Sequence, residues 1–184
     1  MLPEKVKQLD VEIAGEPAGQ LLKHSVHEFR YIDSNLDQPS LALLMPPTRP
    51  TYQDGDLFAV MDQSLPEGDL YLRLRAMFPK QQLTQMQLLA VIGSNGIGRL
   101  GFRLPGAARA AAPQVIDRKT LLGIRYAPEV FDELVRAYLS AGAGIAGMQP
   151  KIMVSDRITV PVPTIIVKAA SPSYPGLSAT SSCA

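Results

Sequence analysis

The stretch VKQLDVEIAGEPAGQLLKHSVHEFRYI, residues 6–32, decides the fold. Val11 and Ile13 alternate with polar neighbours, the period-two pattern of a strand with one buried face. The segment Gly15-Glu-Pro-Ala-Gly19 is a turn signal. Gln20–Lys23 and His27–Ile32 then read as two further short strands, so the stretch predicts a small antiparallel meander. His24 and His27 flank its second turn. A metal pair would need a third ligand of suitable type, and none is near in sequence, so they read as surface turn histidines.

Working outward, Leu41–Met45 is a short apolar run that ends at Pro46-Pro47. Pro46–Asp56, rich in Pro, Thr and Asp, reads as a loop. Leu57–Asp62 is helical in pattern, with Leu57, Val60 and Met61 on one face. Ser64-Leu-Pro-Glu-Gly68 breaks it. Asp69 then caps a second helix carrying Leu70, Leu72, Leu74 and Met77. Thr84–Ile92 is a third helix, with Met86, Leu89 and Ala90 at helical spacing and Gly93 as its stop. A strand from Arg99 to Leu104 follows. Residues 105–117 are rich in Ala, Pro and Gly and read as a linker. Pro128–Ser140 carries the strongest helical stripe, built from Val130, Phe131, Leu134, Val135 and Tyr138, which reads as core. Ile152–Val154 and Ile158–Val160 bracket a turn at Ser155-Asp-Arg157, and Thr164–Lys168 is a β-branched run.

Composition narrows the function classes. The 184 residues are 46% hydrophobic and 19% charged, which is globular rather than disordered. Formal net charge is +1, so no global field draws the chain to nucleic acid or to an anionic membrane. The one cysteine, Cys183, excludes an internal disulfide framework and a cysteine-based zinc site. The N-terminus lacks a signal-peptide core, and no apolar run reaches the length of a membrane span. A cytoplasmic protein without direct nucleic-acid or membrane contact is expected.

Two glycine-containing segments invite a phosphate-binding reading. Gly93-Ser-Asn-Gly96-Ile-Gly98 has a helix before it and a strand after it. A dinucleotide fingerprint needs strand, loop, then helix, so this segment reads as a structural turn. The second is Ala141-Gly-Ala-Gly144-Ile-Ala-Gly147-Met-Gln-Pro-Lys151, followed by strand, turn, strand and Lys168. Glycine amides approach phosphate oxygens because no Cβ intervenes, and a lysine on a following strand supplies a point charge. Glycines after a helix also serve as caps, and a strand-end lysine is often solvated. Spacing alone leaves both readings open.

A family resemblance bears on this. Ile145-Ala-Gly147-Met-Gln149-Pro-Lys151 resembles the glycine-rich loop of HipA-type serine/threonine kinase toxins. Thr164-Ile-Ile-Val-Lys168 resembles the family's strand ending in a nucleotide-binding lysine, and Tyr174-Pro-Gly-Leu177 the segment that follows. Phe29-Arg-Tyr31, Leu41-Ala-Leu-Leu-Met-Pro46, Leu57–Pro66 and Ile92–Phe102 fall in the order of that family's N-terminal subdomain. The resemblance implies ATP contact by Gly144, Ile145, Ala146, Gly147, Met148, Gln149, Lys151 and Lys168. Magnesium is expected only for the full-length family. A serine that is autophosphorylated in some members is matched here by Gly144. The implied partner is a helix-turn-helix antitoxin of the HipB type, within a type II toxin–antitoxin system, and a protein substrate is implied only for a full-length kinase.

The expected architecture is α+β: a small antiparallel sheet with packed helices over 1–104, the linker over 105–117, and a partial kinase-like N-lobe over 118–184. Phosphotransfer needs a catalytic aspartate and metal ligands. Ala169–Ala184 contains no Asp, Glu, Asn or His. The chain therefore reads as a C-terminally truncated kinase toxin with ATP-loop elements but no catalytic residue and no metal site. The alternative is a non-catalytic, antitoxin-like binding module. An unrelated nucleotide-binding enzyme would need an acid–base set, and Asp54, Asp56, Asp62 and Asp69 read as solvated or capping residues. This chain alone is expected not to transfer phosphate from labelled ATP to itself or to a generic protein. Robust transfer that depends on Lys168 would contradict that reading.

Overall fold

The structure, a computed structural model, describes residues 5–33, 37–79, 82–93, 98–108, 151–154 and 165–168, the last two segments by backbone alone. Leu9, Val11 and Ile13 alternate with Gln8, Asp10 and Glu12 and form β1 (Gln8–Ile13). The odd-numbered residues point into the core, where each is at most 1% exposed. Ala14 and Gly15, both at positive φ (54° and 87°), turn the chain directly into β2 (Glu16–Lys23). The pair Ile13↔Glu16 closes a two-residue hairpin loop, and positive φ at both loop positions matches the twist of the strands.

The expected turn over 15–19 is therefore corrected: Glu16–Gly19 belongs to β2. Pro17 is tolerated in this inner strand because the register shifts between Val11↔Gly19 and Glu12↔Pro17, leaving Ala18 as a bulge. β3 (His27–Tyr31) completes the meander. Pro46–Asp56 is not wholly loop, since Thr51–Asp54 forms β4 and pairs with β3 as an edge strand.

Three helices then carry the chain from one edge of the sheet to the other: α1 (Ala59–Asp62), α2 (Gly68–Met77) and α3 (Gln85–Ile92). Met61 of α1 and Met86 and Leu89 of α3 join the strands' apolar residues in one core. Glu67, not Asp69, occupies the N-cap of α2, and no side chain caps that end. Leu70 and Leu74 are buried as their spacing predicts, whereas Leu72 lies on the opposite face and is 56% exposed. At α3, Thr84 and Gln87 form a reciprocal capping box, which satisfies the buried Gln87 amide. Gly93 ends α3 at φ 68°.

The chain next enters β5 (Leu100–Arg103), which pairs antiparallel with β1 and gives the sheet order β4-β3-β2-β1-β5. Gly93–Gly98 thus joins helix to strand, the order that excludes a dinucleotide loop. Farther along, β6 (Lys151–Val154) and β7 (Ile165–Lys168) form a two-stranded antiparallel sheet. The expected helix over 128–140, the glycine segment over 141–150 and the strand at 158–160 lie outside the described residues.

Gly19 has a steric role. An added Cβ would sit 2.6 Å from Cζ of the fully buried Phe29 and would also meet the carbonyl of Arg30 on the paired strand. Both obstacles belong to packed elements that cannot move aside cheaply. Gly19→Ala is expected to lower stability by about 1–3 kcal/mol, the range for overpacking a core, measured as a lower urea midpoint. An unchanged midpoint would show that the Phe29 ring has room to move.

Candidate functional site

Of the site residues expected from sequence, Gly144, Ile145, Ala146, Gly147, Met148 and Gln149 lie outside the described residues. Lys151 and Lys168 are described by backbone, and they pair. Lys151 opens β6, Lys168 closes β7, and the two are direct register partners in the ladder. The β-branched run Ile165-Ile-Val167 favours the extended backbone that sets this register.

The five-stranded sheet carries polar clusters that sequence reading missed. Glu28 and Arg30, both on β3, form an ion pair, and Gln53 Nε2 on β4 donates to Glu28 Oε2 at 2.7 Å. The hydrogen bonds from Arg30 and Gln53 hold the Glu28 carboxyl below its ordinary pKa. On the neighbouring strands, Arg103 Nε lies 2.9 Å from Glu12 Oε1. Its N–H is not aimed at that oxygen, and Glu12 Oε2 is buried without a hydrogen-bond partner. Gln53–Glu28 and Arg103–Glu12 link neighbouring strands of the sheet.

Tyr31 organises the loop after β3. Its hydroxyl accepts from the Leu41 amide at 2.6 Å and donates to the Met45 carbonyl. Tyr52 donates to the Pro46 carbonyl at 2.6 Å. Leu41 and Met45 are thereby buried at the ends of a tight turn closed by an Ala42↔Met45 bridge, and Leu43 and Leu44 are held outward, 98% and 89% exposed. Of the apolar run 41–45, the two ends are buried and the middle leucines are not.

The two histidines do not form a pair. His24 is exposed, whereas His27 is buried at the start of β3, so the expectation of a surface residue is corrected there. It pairs with Asp54 of β4, and the Gly55 and Asp56 backbone lies beside its ring. Among the described residues no group of three or more potential ligands could hold a metal. Asp54 accepts from the Asp56 amide at 3.2 Å and Asp62 from Gln85 at 3.2 Å, which are local structural roles. No helix among the described residues is long and apolar enough to cross a membrane.

Comparison with known proteins adds the following. The family model described as HipA N-terminal domain matches residues 9–103. Twelve chains of solved structures match, among them one titled "N-terminal domain of HipA toxin". That chain is 21% identical, with a TM-score of 0.38, over 54% of this chain and 91% of its own. No curated protein matches.

Burial, then the nearby Lys23 ammonium, lowers the His27 pKa below its ordinary 6.5, outweighing opposite effects of Asp56 and the Gly55 and Asp56 backbone. Lys23 Nζ lies 3.4 Å from Nδ1, which suits a neutral imidazole that accepts there. The unfolded chain therefore binds the proton at higher pH than the folded one. His27's contribution to stability is complete above about pH 6.5 and declines as pH falls toward its lowered folded value. Glu28 acts only below the ordinary carboxylate range, so the windows separate. Denaturant midpoints should fall between pH 6.5 and 5 in the wild type, and His27→Gln should flatten that slope; equal slopes would contradict it.

Proposed function

The chain belongs to the HipA N-terminal domain family over residues 9–103, and from that premise we propose that it is a HipA-like toxin component of a type II toxin–antitoxin system. In this reading the five-stranded module is a non-catalytic platform. The Lys151–Lys168 ladder, with the glycine segment 144–149 before it, holds the phosphates of ATP. A helix-turn-helix antitoxin of the HipB type is the protein partner.

The observation that supports the nucleotide part is the register match of Lys151 with Lys168. The register sets two lysines at one rung of a short ladder, and positive charge gathered at one place suits a polyanion. The phosphate chain of ATP carries enough charge to engage both, and glycine amides upstream would add neutral donors without steric cost. A second reading, a non-catalytic antitoxin-like module that contacts a kinase, is supported by the module's own core, which runs from Val6 to Phe102. Pull-down against a helix-turn-helix antitoxin and against a full-length kinase separates the two.

Calorimetric titration with ATP tests the nucleotide assignment. Weak binding is expected, because two lysines and a glycine segment offer few contacts to a nucleotide. Lys168→Ala should weaken it further by about tenfold, as expected for loss of one charge-assisted contact of about 1.5 kcal/mol. Micromolar affinity would contradict the weak-binding expectation, and equal affinity in the variant would overturn the assignment.

A further inference from the structure

The turn between β3 and β4 carries a feature that neither the core nor the lysine ladder uses. Leu43 and Leu44 stand at its tip almost wholly exposed, while Leu41 and Met45 on either side are buried. A closed frame fixes that display. The Tyr31 hydroxyl holds the Leu41 amide and the Met45 carbonyl, the Met45 amide donates to the Ala42 carbonyl at 3.0 Å, and Tyr52 holds Pro46. Two cations are tied to the base of the same turn. Arg99 donates to the Ser40 carbonyl, and Arg49 lies over the Tyr52 ring, 5.2 Å from its centroid. Both arginines are exposed, and among the described residues no carboxylate pairs with either.

We propose that this turn inserts into an apolar pocket with an acidic rim on a partner protein. The two leucines fill the pocket, and carboxylates at its rim take Arg49 and Arg99 in charge-assisted hydrogen bonds. Charge decides against a second copy of this chain as the occupant. A two-fold contact through the same turn would bring the arginines of each copy toward those of the other. Backbone chemistry decides against a lipid surface. Among the described residues nothing hydrogen-bonds to the amides or carbonyls of Leu43 and Leu44. Unpaired peptide groups carried into hydrocarbon offset the gain from two leucines, whereas a protein pocket pairs them. The inference does not rest on the nucleotide assignment, so loss of ATP binding leaves it standing.

The test uses the full chain with isotope-labelled leucine methyls, read by NMR. Sulfobutylether-β-cyclodextrin, an apolar cavity ringed by anions, serves as the pocket, with neutral hydroxypropyl-β-cyclodextrin as its counterpart. The Leu43 and Leu44 methyls should shift on titration, and the anionic cavity should bind about tenfold tighter than the neutral one, a difference of about 1.4 kcal/mol. Arg49→Glu combined with Arg99→Glu should remove that preference. Leu43→Asp combined with Leu44→Asp should remove the binding. All four side chains are exposed, so both variants should keep the thermal midpoint of the wild type. Shifts confined to other leucines, or a preference unchanged in the arginine variant, would overturn the proposal. So would co-sedimentation with anionic lipid vesicles that is lost in the leucine variant, which assigns the turn to a membrane. Self-association lost in that variant would assign it to a second copy and would equally overturn it.

Discussion

β1 is the strand on which the rest of the five-stranded sheet depends. It pairs with β2 through a two-residue turn and with β5 across residues 14–99. The first pairing is nearly free of closure cost. The second closes a loop whose length-dependent entropy alone is on the order of 4 kcal/mol for a featureless chain. Burial of Leu100 and Phe102 opposite Ile13 and Val11 offsets it, at about 1.5–3 kcal/mol for each large apolar side chain. The helices between β4 and β5 bring the chain back across the apolar face and supply Met61, Met86 and Leu89 to the same core. The closing pair and the core are therefore one cooperative unit.

Aromatic packing on β3 extends this unit to the loop that follows. The ring of Phe29 lies over Gly19, and Tyr31 meets Phe29 edge-on with centroids 4.8 Å apart. That packing directs the Tyr31 hydroxyl to the two ends of the 41–45 turn. A buried hydroxyl that both donates and accepts leaves neither loop end unsatisfied. Tyr52 on β4 meets Tyr31 at 6.4 Å and pins Pro46. Outward display of Leu43 and Leu44 thus traces back to a glycine on the second strand.

What was legible in the sequence followed from periodicity, and what was not followed from pairing. Val11 and Ile13 announced β1, and the spacing of Met86 and Leu89 with the Thr84 start announced α3. β4 went unread because Thr51–Asp54 faces solvent at an edge and shows no apolar alternation. That single miss hid two others. The burial of His27 and the Gln53–Glu28 hydrogen bond both depend on β4 lying beside β3. Pro17 obscured β2 because a bulge, which only the partner strand reveals, is what accommodates it. Lys151 and Lys168 could be picked out singly by resemblance, but their opposition across a ladder is a register property that no local pattern encodes.

The functional account assigns different tasks to different parts of the chain: packing and partner contact to the module over 9–103, phosphate contact to the ladder of β6 and β7. NMR shift mapping of the full, isotope-labelled chain during ATP addition tests this division most directly. The account predicts that amide resonances of Lys151–Val154 and Ile165–Lys168 move together while those of β1–β5 stay in place. Shifts centred on the five-stranded sheet, with the ladder silent, would contradict it.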